Sequence, residues 1–180
     1  MIELGESASF ETVALLHLDA AYNLARWLMR DSSAAEDVVQ EAMLRALKYF
    51  STFKGTNARA WILQIVRNVA YKNLRSTQEI KTVSIDSEPD ENAESIPPEA
   101  LIDPSDDPIA TLIKQRERGY LTALLNRLPT DLRECLVLRE LEDLSYNEIA
   151  EIANIPLGTV MSRLWRARRL LIEAVQQEAR

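Results

Sequence analysis

The side chains best equipped to act on another molecule are four arginines packed into one short stretch. Between Thr159 and Ile172 the chain carries Arg163, Arg166, Arg168 and Arg169 and no acid. A guanidinium is permanently charged and presents a planar fork of N–H donors, which suits it to phosphate oxygens and to the major-groove edge of guanine rather than to bond-breaking chemistry. A second cluster lies earlier, where Gln64, Arg67, Asn68, Tyr71 and Arg75 fall together on one side of a predicted helix with Lys72 and Trp61 at its two margins. Cations and amides around an aromatic ring are what an unpaired nucleic-acid strand requires, because bases stack on the ring while the cations follow the backbone. A solvated basic helix face would look the same in sequence. Neither cluster contains a nucleophile with a base beside it. The single Cys135 and the single His17 cannot make a disulfide or a structural zinc site; Cys135 lies in an apolar run and His17 between leucines, which suggests packing roles. No catalysis, cofactor or metal is expected.

The element that must position the arginines is a helix-turn-helix. Ser145 and Glu148 have the spacing of a capping box and start the first helix. Asn154-Ile155-Pro156 ends it, since the residue before proline avoids the α region, and proline can open the helix that follows. In that second helix Leu157, Val160, Leu164, Ala167 and Leu171 form one stripe at 100° per residue and are expected inside. Ser162, Arg166 and Arg169 lie opposite, with Thr159 at the N-terminal edge and Trp165 beside them, and are the candidates for a DNA major groove. Arg163 and Arg168 sit on the shoulders, placed to hold phosphates or to pair with acids of the first helix.

Net charge opposes nucleic acid until it is located. Of the formal −7, the stretch 77–111 alone supplies ten acids against one lysine, together with five of the seven prolines. Residues 1–76 and 112–180 are each close to neutral. The middle is therefore an acidic, flexible linker between two domains. Two readings fit it, a solvated spacer or a carboxylate strand that mimics nucleic acid in a partner's basic channel. The rest is rich in Ala, Leu, Glu and Arg with little β-branched alternation, so an all-α fold of two helical domains follows. No run approaches a membrane span and no signal peptide opens the chain, which predicts a cytoplasmic protein.

Helical spacing predicts a first helix over about 7–30 with Leu15, Leu18, Tyr22, Ala25 and Met29 inside. Ser33 and Glu36 suggest a capping box for a second helix reaching Phe50, with Val39, Ala42, Met43, Ala46 and Phe50 as its core side. Its opposite face holds Asp37, Gln40, Glu41 and Lys48 around an outward Leu44, which suits a basic, partly apolar partner surface. A third helix is expected over about 57–76, with Ile62, Ile65, Val66 and Val69 inside. Helices over 112–128 and 131–141 complete the second domain, with Leu132, Leu136 and Leu141 inward in the latter.

Three segments together carry a family likeness: AEDVVQEAMLRALKYFSTFKG (35–55), AWILQIVRNVAYKNLR (60–75) and LSYNEIAEIANIPLGTVMSRLWRARRLL (144–171). They resemble the signature segments of bacterial extracytoplasmic-function (ECF) RNA polymerase sigma factors, in order and across both domains. The resemblance implies sigma region 2, a three- or four-helix bundle, over 1–76, and sigma region 4, a four-helix domain with the helix-turn-helix, over 112–180. It further implies a promoter-specificity subunit of core RNA polymerase that recognises −35 and −10 elements, assists opening and answers to an anti-sigma factor. By the same resemblance Asp37, Gln40, Glu41 and Leu44 would dock on the polymerase β′ clamp helices, with the β subunit as a further contact. Trp61, Gln64, Arg67, Asn68, Tyr71, Lys72, Asn73 and Arg75 would read and melt the −10 element. The helix with Thr159, Ser162, Arg163, Trp165, Arg166, Arg168 and Arg169 would read −35. Members often carry a basic residue where this chain has Met161, and an arginine and an aspartate where it has Gln64 and Lys72. Two other readings remain, an autonomous helix-turn-helix regulator and a sigma mimic that sequesters an anti-sigma factor.

Overall fold

The computed structural model describes residues 9–83 and 119–178. The described residues are helical without strands, and most of the acidic stretch expected to link the domains lies outside them. Helix α1 spans Phe10–Met29, α2 Ser32–Tyr49, α3 Ala58–Val83, α5 Thr130–Glu140, α6 Tyr146–Ala153 and α7 Leu157–Glu178. Helix α4 is described over 119–127.

The N-terminal unit is a bundle of α1, α2 and α3 around Leu24, Leu28, Val38, Val39, Ile62, Leu63 and Val66. Its α1 buries Ala21, Leu24, Ala25 and Leu28, whereas Leu15 is 72% exposed and Leu18 is also on the surface. The stripe expected for α1 is thus rotated by about one residue, 100° of helix. The buried side lies opposite Thr12, Asp19, Asn23 and Arg26, which share one side of α1, and the exposed Leu15 and Leu16 flank that polar side. The cap of α2 also differs, because Asp31, not Ser33, accepts from the Ala34 amide at 2.6 Å. Asn57 caps α3 by accepting from the Ala60 amide at 3.0 Å, and α3 continues past Ser76 to Val83. Between α2 and α3 a 3-10 turn, Phe50–Thr52, gathers aromatics: Phe53 stacks on Trp61 at 4.7 Å and Phe50 meets Phe10 edge-on at 5.5 Å. Gly55 is required there, since a Cβ would stand 2.9 Å from the Phe53 ring.

In the C-terminal unit every residue from Leu132 to Leu138 is buried, Arg133 and Glu134 included. Helix α5 is central: α7 and α6 pack on it within its own unit, and α1 packs on it from the other. Leu141, expected inside, is exposed because the chain turns away after Glu140. Cys135 is fully buried, and its thiol is pushed up to about 11, first by burial and then by Glu134. The helix-turn-helix forms as its sequence dictates. Ser145 accepts from the Glu148 amide, and the Glu148 carboxylate accepts from the Ser145 amide at 2.8 Å. Asn154 closes α6 in the left-handed region, φ 53°, a conformation asparagine tolerates. Val160, Leu164 and Ala167 then seal α7 against α5 and α6, while Leu157 stays at the surface.

The cap generates a test. The Ser145 amide and hydroxyl hold the Glu148 carboxyl below its usual range, so its contribution is complete above the ordinary carboxylate pKa and is lost as pH falls through the lowered one. In denaturant unfolding at pH 7, Ser145→Ala should cost about 1 kcal/mol. Glu148→Gln should destabilise at pH 7 and match the parent at pH values below the carboxylate range.

Candidate nucleic-acid interface and its occupant

On α7 the residues separate by neighbour as well as by angle. Arg163 turns back to Asp131 of α5 at 3.4 Å, and Arg168 donates to Glu140 of α5 at 2.7 Å. The acids expected to take these arginines were those of the preceding helix, α6; the structure supplies them from α5. Ser162, Trp165, Arg166 and Arg169 stand together in solvent with half-exposed Thr159 beside them, and Trp165 is 60% exposed. Arg169 lies over the Trp165 ring at 5.3 Å and pairs through Nε with Glu173 at 2.9 Å. Arg166 makes no ion pair among the described residues. Met161 is exposed one turn before Trp165 and adds an apolar margin.

On α2, Asp37, Gln40 and Leu44 are exposed, Leu44 to 69%. Glu41 pairs with Arg45 and lies 3.8 Å from Lys72 of α3. Leu47, one turn beyond Leu44, is also exposed, and helical spacing from Leu44 could have found it.

The outer face of α3 is a groove of about 430 Å³ lined by Arg67, Asn68, Tyr71, Lys72, Arg75 and Ser76. Trp61 does not join it: its ring is engaged by Phe53 and Phe50 inside the first unit. Asn73 is half-buried, and its carbonyl accepts from Thr77. Gln64, Arg67 and Tyr71 point away from their own bundle as expected and are half-buried there. The C-terminal unit covers them in part. Arg67 Nε donates to Glu134 Oε1, Tyr71 donates to Glu134 Oε2 at 3.0 Å, and Gln64 donates to the Glu151 carbonyl at 3.3 Å. Arg67 also lies over the Tyr71 ring, 4.5 Å from its centre.

Further polar contacts continue this seam. Asn57 donates to Glu148 at 2.9 Å, while Arg59 and Asn23 both donate to Glu142, at 2.6 and 2.9 Å. Arg133, nearly inaccessible, donates to the Trp27 carbonyl at 2.8 Å and the Leu128 carbonyl at 3.0 Å. Burial and nearby Arg30 bring Arg133 down to about 10, so it remains charged at neutral pH. Burial pushes Glu134 up, opposed by the charge and hydrogen bond of Arg67, and burial with Glu134 pushes Tyr71 up as well. Sequence reasoning missed Glu134 and Glu142. The available signal was a charged pair, Arg133-Glu134, inside the apolar run Leu132 to Leu138.

Comparison with known proteins places both units in one family. A sigma-70 region 2 model matches residues 14–80, which hold α1 to α3, and a sigma-70 region 4 model matches 118–171, which hold the helix-turn-helix. The ECF RNA polymerase sigma-E factor of Escherichia coli is 36% identical over 146 residues, 81% of this chain and 75% of that protein. The chain belongs to the ECF RNA polymerase sigma factors. The RNA polymerase sigma-H factor of Pseudomonas aeruginosa is 29% identical over 176 residues, 97% of this chain and 90% of its own. Among solved structures, the sigma factor RpoE of Bartonella quintana, in complex with the anti-sigma factor NepR, superposes with a TM-score of 0.68 at 28% identity, covering 93% of this chain and 96% of that one. This sigma factor is thus an alternative initiation factor, from a family that is not one of enzymes. No helix among the described residues is long and apolar enough to cross a membrane.

Proposed function

We propose that this sigma factor carries out promoter recognition with three separate faces of the same chain, in the cytoplasm and under the control of an anti-sigma factor. The units are 1–76 for core binding and −10 recognition, 112–180 for −35 recognition, and the acidic 77–111 between them. The exposed α2 face of Asp37, Gln40, Glu41 and Leu44, extended by Leu47, docks on core RNA polymerase at the β′ clamp helices, with the β subunit as a second contact. Its carboxylates and outward leucines fit a partner surface that is basic and partly apolar. Family membership supports the polymerase as that partner, and the Bartonella quintana complex supports control by an anti-sigma factor.

The observation that carries the −35 assignment is the sorting of arginines on α7. Arg163 and Arg168 turn toward α5 acids, whereas Arg166 and Arg169, the latter paired only within α7 to Glu173, stand beside Thr159, Ser162 and Trp165 on the solvent side. In a major groove these would read base edges, and Arg163 and Arg168 would act on phosphates or on the helix's orientation. The −10 strand falls to Gln64, Arg67, Asn68, Tyr71, Lys72 and Arg75, with Asn73 and Trp61 supporting the helix that carries them. Polymerase supplies the chemistry. The sigma factor supplies stacking and backbone contacts that offset the cost of unpairing, a few kcal/mol per base.

In run-off transcription with core polymerase on the chain's own promoters, Arg166→Ala and Arg169→Ala should each lower initiation by roughly 5- to 150-fold, corresponding to 1–3 kcal/mol of base readout. Arg168→Ala should have a smaller effect, shared evenly among promoters. If neither Arg166→Ala nor Arg169→Ala lowers initiation, the outward face of α7 is not the reader. Asp37→Arg combined with Glu41→Arg should abolish co-purification with core polymerase while cooperative unfolding stays unchanged.

A further inference from the structure

The outward face of α7 has two edges of unlike chemistry. At 100° per residue Thr159 and Arg166 lie to one side of Ser162, and Met161 and Trp165 lie to the other. The first edge is rich in hydrogen-bond donors, whereas the second offers one, the indole N–H. Met161 is 49% exposed and Trp165 60%, one turn apart in the N-terminal half of the helix. In a helix-turn-helix, residues near the start of the second helix are the ones that reach base edges in the major groove. We propose that Met161 is a specificity-determining residue that reads thymine in the −35 element through the C5-methyl group, with Trp165 closing the apolar side of the contact. The inference rests on the reading of α7 as the −35 helix.

The thymine methyl is the apolar group that the four bases show in the major groove; guanine offers two acceptors there, and adenine an acceptor and a donor. A thioether has no proton to donate and is a weak acceptor, so Met161 can discriminate only by taking an apolar group out of water. Its unbranched chain can adjust to where that group stands. The neighbours favour this use. Ser162 donates its hydroxyl hydrogen to the Thr159 carbonyl at 3.0 Å, which leaves it acceptor lone pairs that the thymine O4, itself an acceptor, cannot use. Gly158, one turn before Met161, is exposed, and a Cβ on it would meet nothing within 4 Å, so the first turn of α7 presents bare backbone for a close approach to the groove. An exposed methionine by itself is ordinary on a protein surface. This one is set between bare backbone, a hydroxyl without a free proton and an exposed indole, on a helix whose other edge carries Arg166.

The test uses holoenzyme assembled from the full chain and core RNA polymerase, with duplex promoter fragments randomised across the −35 element and the bound fraction sequenced. The parent should enrich thymine at a position where Met161→Gln, similar in length but polar at its end, shows no thymine preference; Met161→Leu should retain it. Arg166→Ala should change the preference at a different position in the same selection. On the selected promoter, deoxyuridine in place of that thymine removes the methyl alone. It should weaken binding of the parent holoenzyme about fourfold, the worth of one buried methyl group, and leave Met161→Gln unaffected. The deoxyuridine measurement on the parent needs no variant and stands if a substitution disturbs folding. A parent without thymine preference, a preference kept in Met161→Gln, or deoxyuridine tolerated by the parent would overturn the assignment of Met161, while a changed consensus in Arg166→Ala would leave α7 as the reader. A consensus unchanged by any of these substitutions would overturn the −35 reading of α7 and this inference with it.

Discussion

The buried carboxylate of Glu134, held by Arg67 and Tyr71, is the contact on which the arrangement of the two halves depends. Desolvating a carboxylate costs several kcal/mol, and removing one partner from such a pair costs roughly 3–5 kcal/mol, because the other charge is left uncompensated. The pair is therefore poor cement but a strict gauge of geometry. It is satisfied only when α5 lies over the outer face of α3, which in turn brings α6 against α3 and α1 against α5. Arg133 acts beside it in the same way, spanning carbonyls of α1 and the end of α4.

The acidity of the chain and its DNA-binding family are compatible because the excess of acids lies in 77–111, outside the two helical units. The acids of the C-terminal unit do not repel a ligand at random; several face cations of α3 and α7 within the molecule. Arg163 and Arg168 steady α7 through Asp131 and Glu140, and the remaining arginines keep a shape suited to a groove. Family membership supports reading these faces together, since a sigma factor has two promoter elements to recognise with one short chain.

What could be read from sequence was whatever local physics decides. The Ser145 capping box, the Asn154 to Pro156 turn and the Val160, Leu164, Ala167 stripe are fixed by neighbours within a few residues, and they occur as expected. Asp31 displaced Ser33 as a cap through a choice between adjacent polar residues that spacing alone does not make. The α1 stripe failed because Leu15 and Leu18 drew it toward the edge of the polar side, whereas the side opposite Thr12, Asp19, Asn23 and Arg26 is the buried one. Trp61, Arg67 and Tyr71 show a different limit. Periodicity tells which residues leave their own bundle; it does not tell that Phe53 or Glu134, distant in sequence or outside the helix, waits for them.

The central claim is that the closed chain is the free form of a sigma factor and must open on its polymerase. The most direct measurement is the distance between spin labels on exposed positions of α2 and α7, taken by double electron–electron resonance with and without core RNA polymerase. A single short distance in the free chain, replaced by a longer one in the complex, is the predicted result. The same short distance in both would contradict the account.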